Sequence, residues 1–180
     1  IIETRDVHFL PEYEIGLISQ TSTAYEFRLD NNKYPIKQIY SAASLSGKRT
    51  EKVTKKQICL LEDSNKFVRY WAILGLRSQS SELIKPYKKE VILAMKDTYL
   101  PVAVMASAIA YGEFGDYEAQ EKLKAFCSSK NMEIALMAIS QLLYFNNKQP
   151  FNETILGVYD MDGRDYKVRA ACHVFMRMQN

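Results

Sequence analysis

The sequence lacks a long apolar run, a signal-peptide pattern and a large excess of either charge. A transmembrane helix needs about 18 consecutive apolar residues, and no such run occurs. Lysine and arginine total 24 against 21 acidic side chains, a formal net charge of only +3. Nucleic-acid-binding domains usually carry a strong basic excess. We therefore expect no membrane span and no nucleic-acid partner. The opening Ile1-Ile2-Glu3 suggests a fragment or a processed product.

Disulfide and metal-binding patterns are also missing. Three cysteines, Cys59, Cys127 and Cys172, stand singly, so a disulfide framework is not implied, and the odd count leaves at least one thiol unpaired within the chain. Each lies among apolar residues at helical spacing, where a free cysteine typically packs as a small buried side chain. The two histidines, His8 and His173, show no metal-ligand spacing, and we expect structural or surface roles for them. We predict no metal and no cofactor in this chain.

A repeat of about 34 residues runs through the chain. A period of this length is typical of folds built from stacked structural repeats. A β-branched residue recurs in steps of 34, 32 and 34 residues, at Val68, Val102, Ile134 and Val168. A small residue follows four positions later, at Ala72, Ala106, Ala138 and Cys172. Spacing of four along a helix keeps residues on one stripe. The small residue would let a neighbouring helix approach closely.

An amphipathic run precedes each stripe, so each repeat is predicted to be a helix, a short turn and a second helix. The runs cover residues 53–61, 91–95, 119–126 and 154–159. Asp63 and Asp97 stand where a short side chain can cap the second helix. Pro101 suits a first helical turn. Pro35 opens an earlier helix in the same way, and that helix is predicted to end near Gly47.

Residues 1–32 do not follow the repeat. The run from Phe9 to Glu12 and the Ser/Thr-rich stretch 19–23 suggest an irregular connecting segment. Residues 33–180 are predicted to form one repeat domain. A single helix pair cannot bury its apolar face alone, so neighbouring pairs must stack. The predicted fold is therefore all-α, an α-solenoid of about four helix pairs.

The turn and second helix resemble a known family. Asp63, followed by Val68-Arg69 at the start of a helix, resembles the HEAT and HEAT-like pattern. The resemblance implies that a set of repeat residues also bonds between neighbouring units; these are Asp63, Asp97, Arg69 and Arg169. Ala103 and Ala135 replace the arginine and Ser129 replaces the aspartate. A continuous Asp/Arg ladder is therefore not expected.

A narrower resemblance concerns bacterial sulfatases similar to arylsulfatases and heparan sulfatases. An irregular start at residues 8–12, a helix opened at residues 34–36, and Val68-Arg69-Tyr70-Trp71-Ala72 are similar to their C-terminal helical extension. The resemblance implies a periplasmic or secreted setting and a parent enzyme that uses calcium and a formylglycine. The sulfatase motif C/S-x-P/A-x-R does not occur here. We accordingly expect no catalytic residue in this chain.

Other candidate sites favour structural interpretations. Adjacent helical residues point about 100° apart, so Cys172 and His173 are not expected to form a nucleophile–base pair. Asp160, Asp162 and Asp165 flank Gly163 like part of a calcium loop, but Arg169 stands where the closing Glu belongs. A turn with capping carboxylates is favoured there.

Two surface features point to a partner. Lys52, Lys55 and Lys56 share one helix face beside Lys48 and Arg49, and this face could attract a sulfated glycan or an acidic partner. A solvated helix face explains the same lysines. Trp71 is expected to pack in the core, while an exposed aromatic patch would indicate a partner interface.

The favoured function is a non-catalytic accessory part of a sulfatase, a sulfuric ester hydrolase acting on sulfated glycans. The chain would pack on an upstream catalytic domain or on another protein. The alternative is a free-standing HEAT-repeat scaffold that binds a protein or peptide. A third possibility, a HEAT-like enzyme acting on damaged bases, should be strongly basic, and +3 overall argues against it.

Overall fold

A computed structural model describes residues 10–21 and 24–178. Within those ranges the chain is all-helical and has no β-strand. It divides into two compact units, Ile1–Ala94 and Met95–Asn180. The predicted repeat domain, residues 33–180, therefore has parts in both units. None of the described helices combines the length and apolar character needed to cross a membrane.

Seven α-helices lie in the described part of the first unit. They are α1 Glu12–Thr21, α2 Ala24–Leu29, α3 Ile36–Ala43, α4 Glu51–Leu60, α5 Lys66–Leu76, α6 Ser81–Ile84 and α7 Lys88–Ala94. A 3-10 turn, Lys85–Tyr87, joins α6 to α7. The α5 helix packs against both α3 and α4, and α4 also contacts α6. The rings of Phe27, Tyr34 and Phe67 lie 6.1 to 6.2 Å apart beside this packing.

The predicted irregular segment, residues 1–32, is corrected where the structure describes it. Residues 12–21 and 24–29 form α1 and α2, so the prediction is wrong there. The backbone carbonyl of Pro11 accepts the N–H groups of Glu14 and Ile15, which opens α1. Acidic side chains in the first turn complement the positive end of the helix dipole. Residues 1–9, including His8 and Phe9, lie outside the described residues, as do 22 and 23.

The α3 helix agrees with the sequence prediction. It begins at Ile36, directly after Pro35, and buries Ile39 and Ala42. Four residues past its end, Gly47 adopts a φ of 79°, a left-handed conformation that glycine tolerates without steric cost. Backbone N–H groups of Ser44 and Leu45 return to carbonyls of the last turn.

Five α-helices lie in residues 95–178 of the second unit. They are α8 Leu100–Phe114, α9 Tyr117–Cys127, α10 Met132–Leu142, α11 Asn152–Asp160 and α12 Tyr166–Arg177. The α8 helix packs on α9 and α10, α10 also contacts α9 and α12, and α11 contacts α9 and α12. Pro101 lies in the first turn of α8, as the sequence predicts.

Both stripe positions, the β-branched residue and the small residue four positions later, are buried in the second helix of each pair. The buried set is Val68, Ala72, Val102, Ala106, Ile134, Ala138, Val168 and Cys172. The α8 helix goes further, because residues 101–110 are all buried, as expected for a helix that is apolar all round. The rings of Tyr111 and Phe151 lie 5.2 Å apart and those of Tyr111 and Phe145 4.9 Å apart, which adds an aromatic cluster to this unit.

Candidate functional site

The repeat turns hold the first recurring arrangement of polar groups. The side chains of Asp63, Asp97 and Ser129 each accept the backbone N–H two residues further on, at 2.8, 2.8 and 3.1 Å. These residues brace the turn before the helix begins. The expected helix capping by Asp63 and Asp97 is therefore corrected, because the helices start three residues later, at Lys66 and Leu100.

Asparagine side chains cap α5 and α10, whereas α8 begins without a side-chain cap. Asn65 accepts N–H groups from Phe67 and Val68 at 3.0 and 3.3 Å, which satisfies two of the free donors that open α5. Asn131 does the same for Ile134 at 3.1 Å. Each of these caps lies two residues past the turn-bracing residue, Asn65 after Asp63 and Asn131 after Ser129.

Arg69 and Arg169 hold the turns of their own hairpins. Nη1 of Arg69 donates to the carbonyl oxygens of Asp63 and Ser64 at 2.9 and 3.1 Å. Nη2 of Arg169 donates to the carbonyl of Met161 at 3.0 Å. The inter-unit role implied for these arginines by the HEAT resemblance thus stays a prediction.

A different arginine joins two successive hairpins of the second unit. Arg164, in the turn before α12, donates from Nη1 to the carbonyl of Ser129 at 2.6 Å and from Nη2 to that of Cys127 at 2.9 Å. Ser129 lies in the turn one repeat earlier, and Cys127 is the last residue of the helix before that turn. In the first unit, Nδ2 of Asn65 reaches the carbonyl of Lys33 at 3.5 Å over a similar separation. Hydrogen bonds from side chain to backbone thus connect consecutive turns.

The predicted lysine surface lies on the exposed side of α4. Lys52, Lys55 and Lys56 are all exposed, whereas Gln57 and Ile58 face the interior. Nζ of Lys55 lies 2.7 Å from a carboxylate oxygen of the Glu51 side chain, one turn earlier. This hydrogen bond and charge pairing raise the pKa of Lys55 and lower that of Glu51. The pair is fully exposed, and such pairs contribute little to stability.

The cysteines fall into two environments. Cys127 and Cys172 are buried, and burial raises the pKa of both thiols, which keeps them protonated and unreactive. Cys59 is exposed on the lysine-bearing side of α4, so the prediction that each cysteine is buried is wrong for this one. His173 is exposed while Cys172 faces the core, as their helical separation predicts.

The acidic turn near Gly163 follows the structural interpretation. The Asp165 side chain accepts the N–H of Lys167 at 2.8 Å and caps α12, while Asp160 and Asp162 are exposed. Within the described ranges, no three His, Cys, Asp or Glu side chains are grouped as a metal site would require. Trp71 is half-buried, and its ring meets that of Tyr70 edge-on at 5.9 Å.

Comparison with known proteins identifies no relative of this chain. No protein-family model, no curated protein and no solved structure matches the chain. The HEAT and sulfatase resemblances therefore rest on the residues quoted for them, Asp63 to Ala72 above all. The connecting role of Arg164 is not predictable from the repeat pattern, because no arginine stands at the equivalent positions of the other repeats.

Proposed function

We propose that the chain is a non-catalytic module of stacked helix pairs, an α-solenoid of HEAT-like units that presents a surface to a partner. The observation that carries the proposal is the packing order within the second unit. Equivalent helices of successive hairpins are neighbours there: α8 contacts α10, α10 contacts α12, and α9 contacts α11. Repeat stacks are built from such nearest-neighbour contacts.

The connections between turns support the same proposal. Arg164 joins its own turn to the one that precedes α10, and the small residues Ala106 and Ala138 are fully buried in helices that pack on one another. Helix pairs that share a core and turn-to-turn hydrogen bonds form an extended surface rather than a single pocket. Such a surface suits the binding of a protein or peptide.

The proposal is tested by assay and by local unfolding. The isolated chain should not hydrolyse 4-nitrophenyl sulfate or other activated esters, and turnover that follows the purified protein would contradict it. A Val168→Ala variant should speed hydrogen exchange in α11 and α12 while α8 and α9 keep their protection, because a repeat stack unfolds from its weakened unit. A uniform increase throughout the second unit would argue against a repeat stack.

The accessory role in a sulfatase is the narrower candidate. It is supported by the similarity of Val68-Arg69-Tyr70-Trp71-Ala72 and of the helix opened at Pro35 to sulfatase extensions. An upstream reading frame that encodes a Cys-x-Pro-x-Arg motif would support it, and its product should hydrolyse sulfate esters. A frame that starts with Met immediately before Ile1 would favour a free-standing scaffold.

A further inference from the structure

One lysine pattern occurs twice in the first unit. The α4 helix carries Lys52, Lys55 and Lys56, and the same Lys-x-x-Lys-Lys spacing returns 33 residues later as Lys85, Lys88 and Lys89. All six side chains are exposed. The interval is one residue short of the 34-residue step from Asp63 to Asp97, so both triplets lie in the part of the repeat that precedes the turn. A charge pattern that repeats with the fold indicates a surface organised by the repeats.

The structure places the start of the second triplet near the helix that carries the first. The α4 helix contacts α6, and the second triplet begins directly after α6. Tyr87, between Lys85 and Lys88 in sequence, lies close enough to Lys55 to interact with it electrostatically, after the stronger effect of Glu51. On each helix the buried residues occupy the opposite side. We call the surface of these six lysines the lysine face.

The lysine face concentrates the positive charge of the chain. Lys48 and Arg49 precede the first triplet, which brings segments 48–56 and 81–90 to eight basic side chains. Their acidic residues are Glu51, Glu82 and Glu90. The two segments therefore carry +5, more than the +3 of the whole chain. A local excess of this kind attracts an oppositely charged partner, and nearby lysines reinforce one another.

We infer that the lysine face binds an acidic segment of a partner protein, with its Asp or Glu carboxylates paired to the two lysine triplets. This inference rests on the proposed scaffold function and names the chemistry of its partner. Lysines three or four positions apart on a helix are about 5–6 Å apart. Alternate side chains of an extended peptide are about 6.6 Å apart on one face, so an acidic residue at every second position matches a lysine row.

Carboxylate partners fit this face better than a nucleic acid. Neither triplet contains arginine, whose planar fork is favoured for phosphate recognition, whereas lysine acts as a compact point charge. Tyr87 is the single aromatic residue within the two triplets, too few for a row of stacked bases. Elsewhere in the chain, lysines pair with glutamates at 2.7 to 2.8 Å, as Lys66 with Glu14 and Lys124 with Glu121.

The test measures binding of a fluorescein-labelled dodecapeptide of alternating Glu and Ser at 0.15 M salt. Two triple variants each remove one row: Lys52/Lys55/Lys56→Ala and Lys85/Lys88/Lys89→Ala. The matched control, Lys37/Lys130/Lys167→Ala, removes the same charge from other exposed positions. Each row variant should weaken binding about tenfold, as expected for the loss of three exposed pairs, and the control less than twofold.

A second readout places the peptide on the lysine face. Cys59 is the exposed cysteine of the three and lies on the same side of α4. An environment-sensitive dye attached there should change its emission when the peptide binds, and the change should vanish in both row variants. Equal losses in the control variant, or no binding by the native chain, would overturn the inference.

The native chain, the two row variants and the control also distinguish an acidic peptide from other anionic partners. They further separate failure of this inference from failure of the proposed function. Heparin fragments, a DNA duplex and vesicles with anionic lipid are tested in parallel, and row-dependent binding to one of them without row-dependent peptide binding overturns the acidic-segment inference. The row variants should keep the native circular dichroism spectrum and unfolding midpoint. Lost peptide binding in a folded protein leaves the repeat module intact, whereas catalytic turnover would contradict the proposed function itself.

Discussion

The side-chain amide of Gln57 lies against the α-carbon of Gly75, where a methyl group would collide with it. The amide is buried and donates to the carbonyl of Leu45 at 3.3 Å, and its oxygen accepts from Gln79 at 2.9 Å. Gln79 also donates to the carbonyl of Lys48 at 3.0 Å. These bonds tie the turn after α3 to α4 and to the end of α5. Glycine at position 75 is therefore required by packing within the first unit.

Replacing Gly75 with alanine should destabilise the protein by about 1–3 kcal/mol. The added methyl group displaces a buried amide that is fixed by hydrogen bonds at both ends, and overpacking of this kind typically has such a cost. The free energy of unfolding in urea measures the effect. Gly157→Ala is the matched control, because Gly157 is exposed in α11 with open space around it. Helix propensity alone should make that variant about 0.5–1 kcal/mol more stable.

The buried small residues support a second prediction. Ala106 is fully buried in α8, which is enclosed on all sides over residues 101–110. Ala106→Leu should lower the free energy of unfolding by about 1–3 kcal/mol, since a close-packed helix interface has no space for three more carbons. Ala170→Leu on the exposed side of α12 should change it by less than about 0.5 kcal/mol. Similar values for the two variants would contradict close packing at Ala106.

The buried residues of the repeats are predictable from the sequence, because apolar residues recur there at a regular interval. Val102 and Ala106 recur as Ile134 and Ala138, and the structure buries all four. The apolar pattern of α1 is interrupted in the sequence, because a charged residue, Glu14, is buried one turn before Ile18. The Glu14 carboxylate lies 2.7 Å from Nζ of Lys66, 52 residues away. Such a pairing is a tertiary contact, and the local spacing of residues in the sequence does not predict it.

Single long side chains likewise leave no periodic signal. The positions equivalent to Arg164 in the other repeats hold Ser64, Thr98 and Lys130, so no pattern marks its connecting role. The lysine face is the opposite case, because its two triplets are visible in the sequence 33 residues apart. The contact between α4 and α6 places the start of the second triplet near α4, which the sequence alone does not show.

The bonds of Arg164 lead to a third prediction. Arg164→Met keeps much of the side-chain volume but leaves the carbonyls of Cys127 and Ser129 without the donors at 2.9 and 2.6 Å. Loss of charged donors to partly buried carbonyls should lower the free energy of unfolding by about 1–3 kcal/mol. Hydrogen exchange should rise first in the turn between α9 and α10. Arg177→Met, at an exposed position near the end of α12, is the control and should be close to neutral; equal effects would contradict the connecting role.

The cysteines lead to a prediction about chemical reactivity. Cys59 is exposed, while Cys127 and Cys172 are buried with raised thiol pKa values. A disulfide reagent such as dithiobisnitrobenzoate should therefore titrate one thiol rapidly in the native protein at pH 8 and all three in urea. Cys59→Ser should remove the rapid phase. A rapid phase that persists in this variant would show that a buried thiol is accessible.

Stability should fall as the pH rises above about 8.5, the ordinary pKa of a cysteine. Burial raises the pKa of Cys127, so the folded chain keeps this proton while the unfolded chain releases it. Unfolding is then favoured by up to about 1.4 kcal/mol per pH unit for this thiol. Burial also raises the pKa of Tyr70 and Tyr111, so these side chains lower the stability further as the pH approaches 10. Urea unfolding between pH 8 and 10 measures how steeply the free energy of unfolding falls with pH. This pH dependence should be weaker in Cys127→Ala and unchanged in the control, Cys59→Ala. An equal pH dependence in Cys127→Ala and the native chain would mean that the Cys127 thiol is not desolvated in the fold.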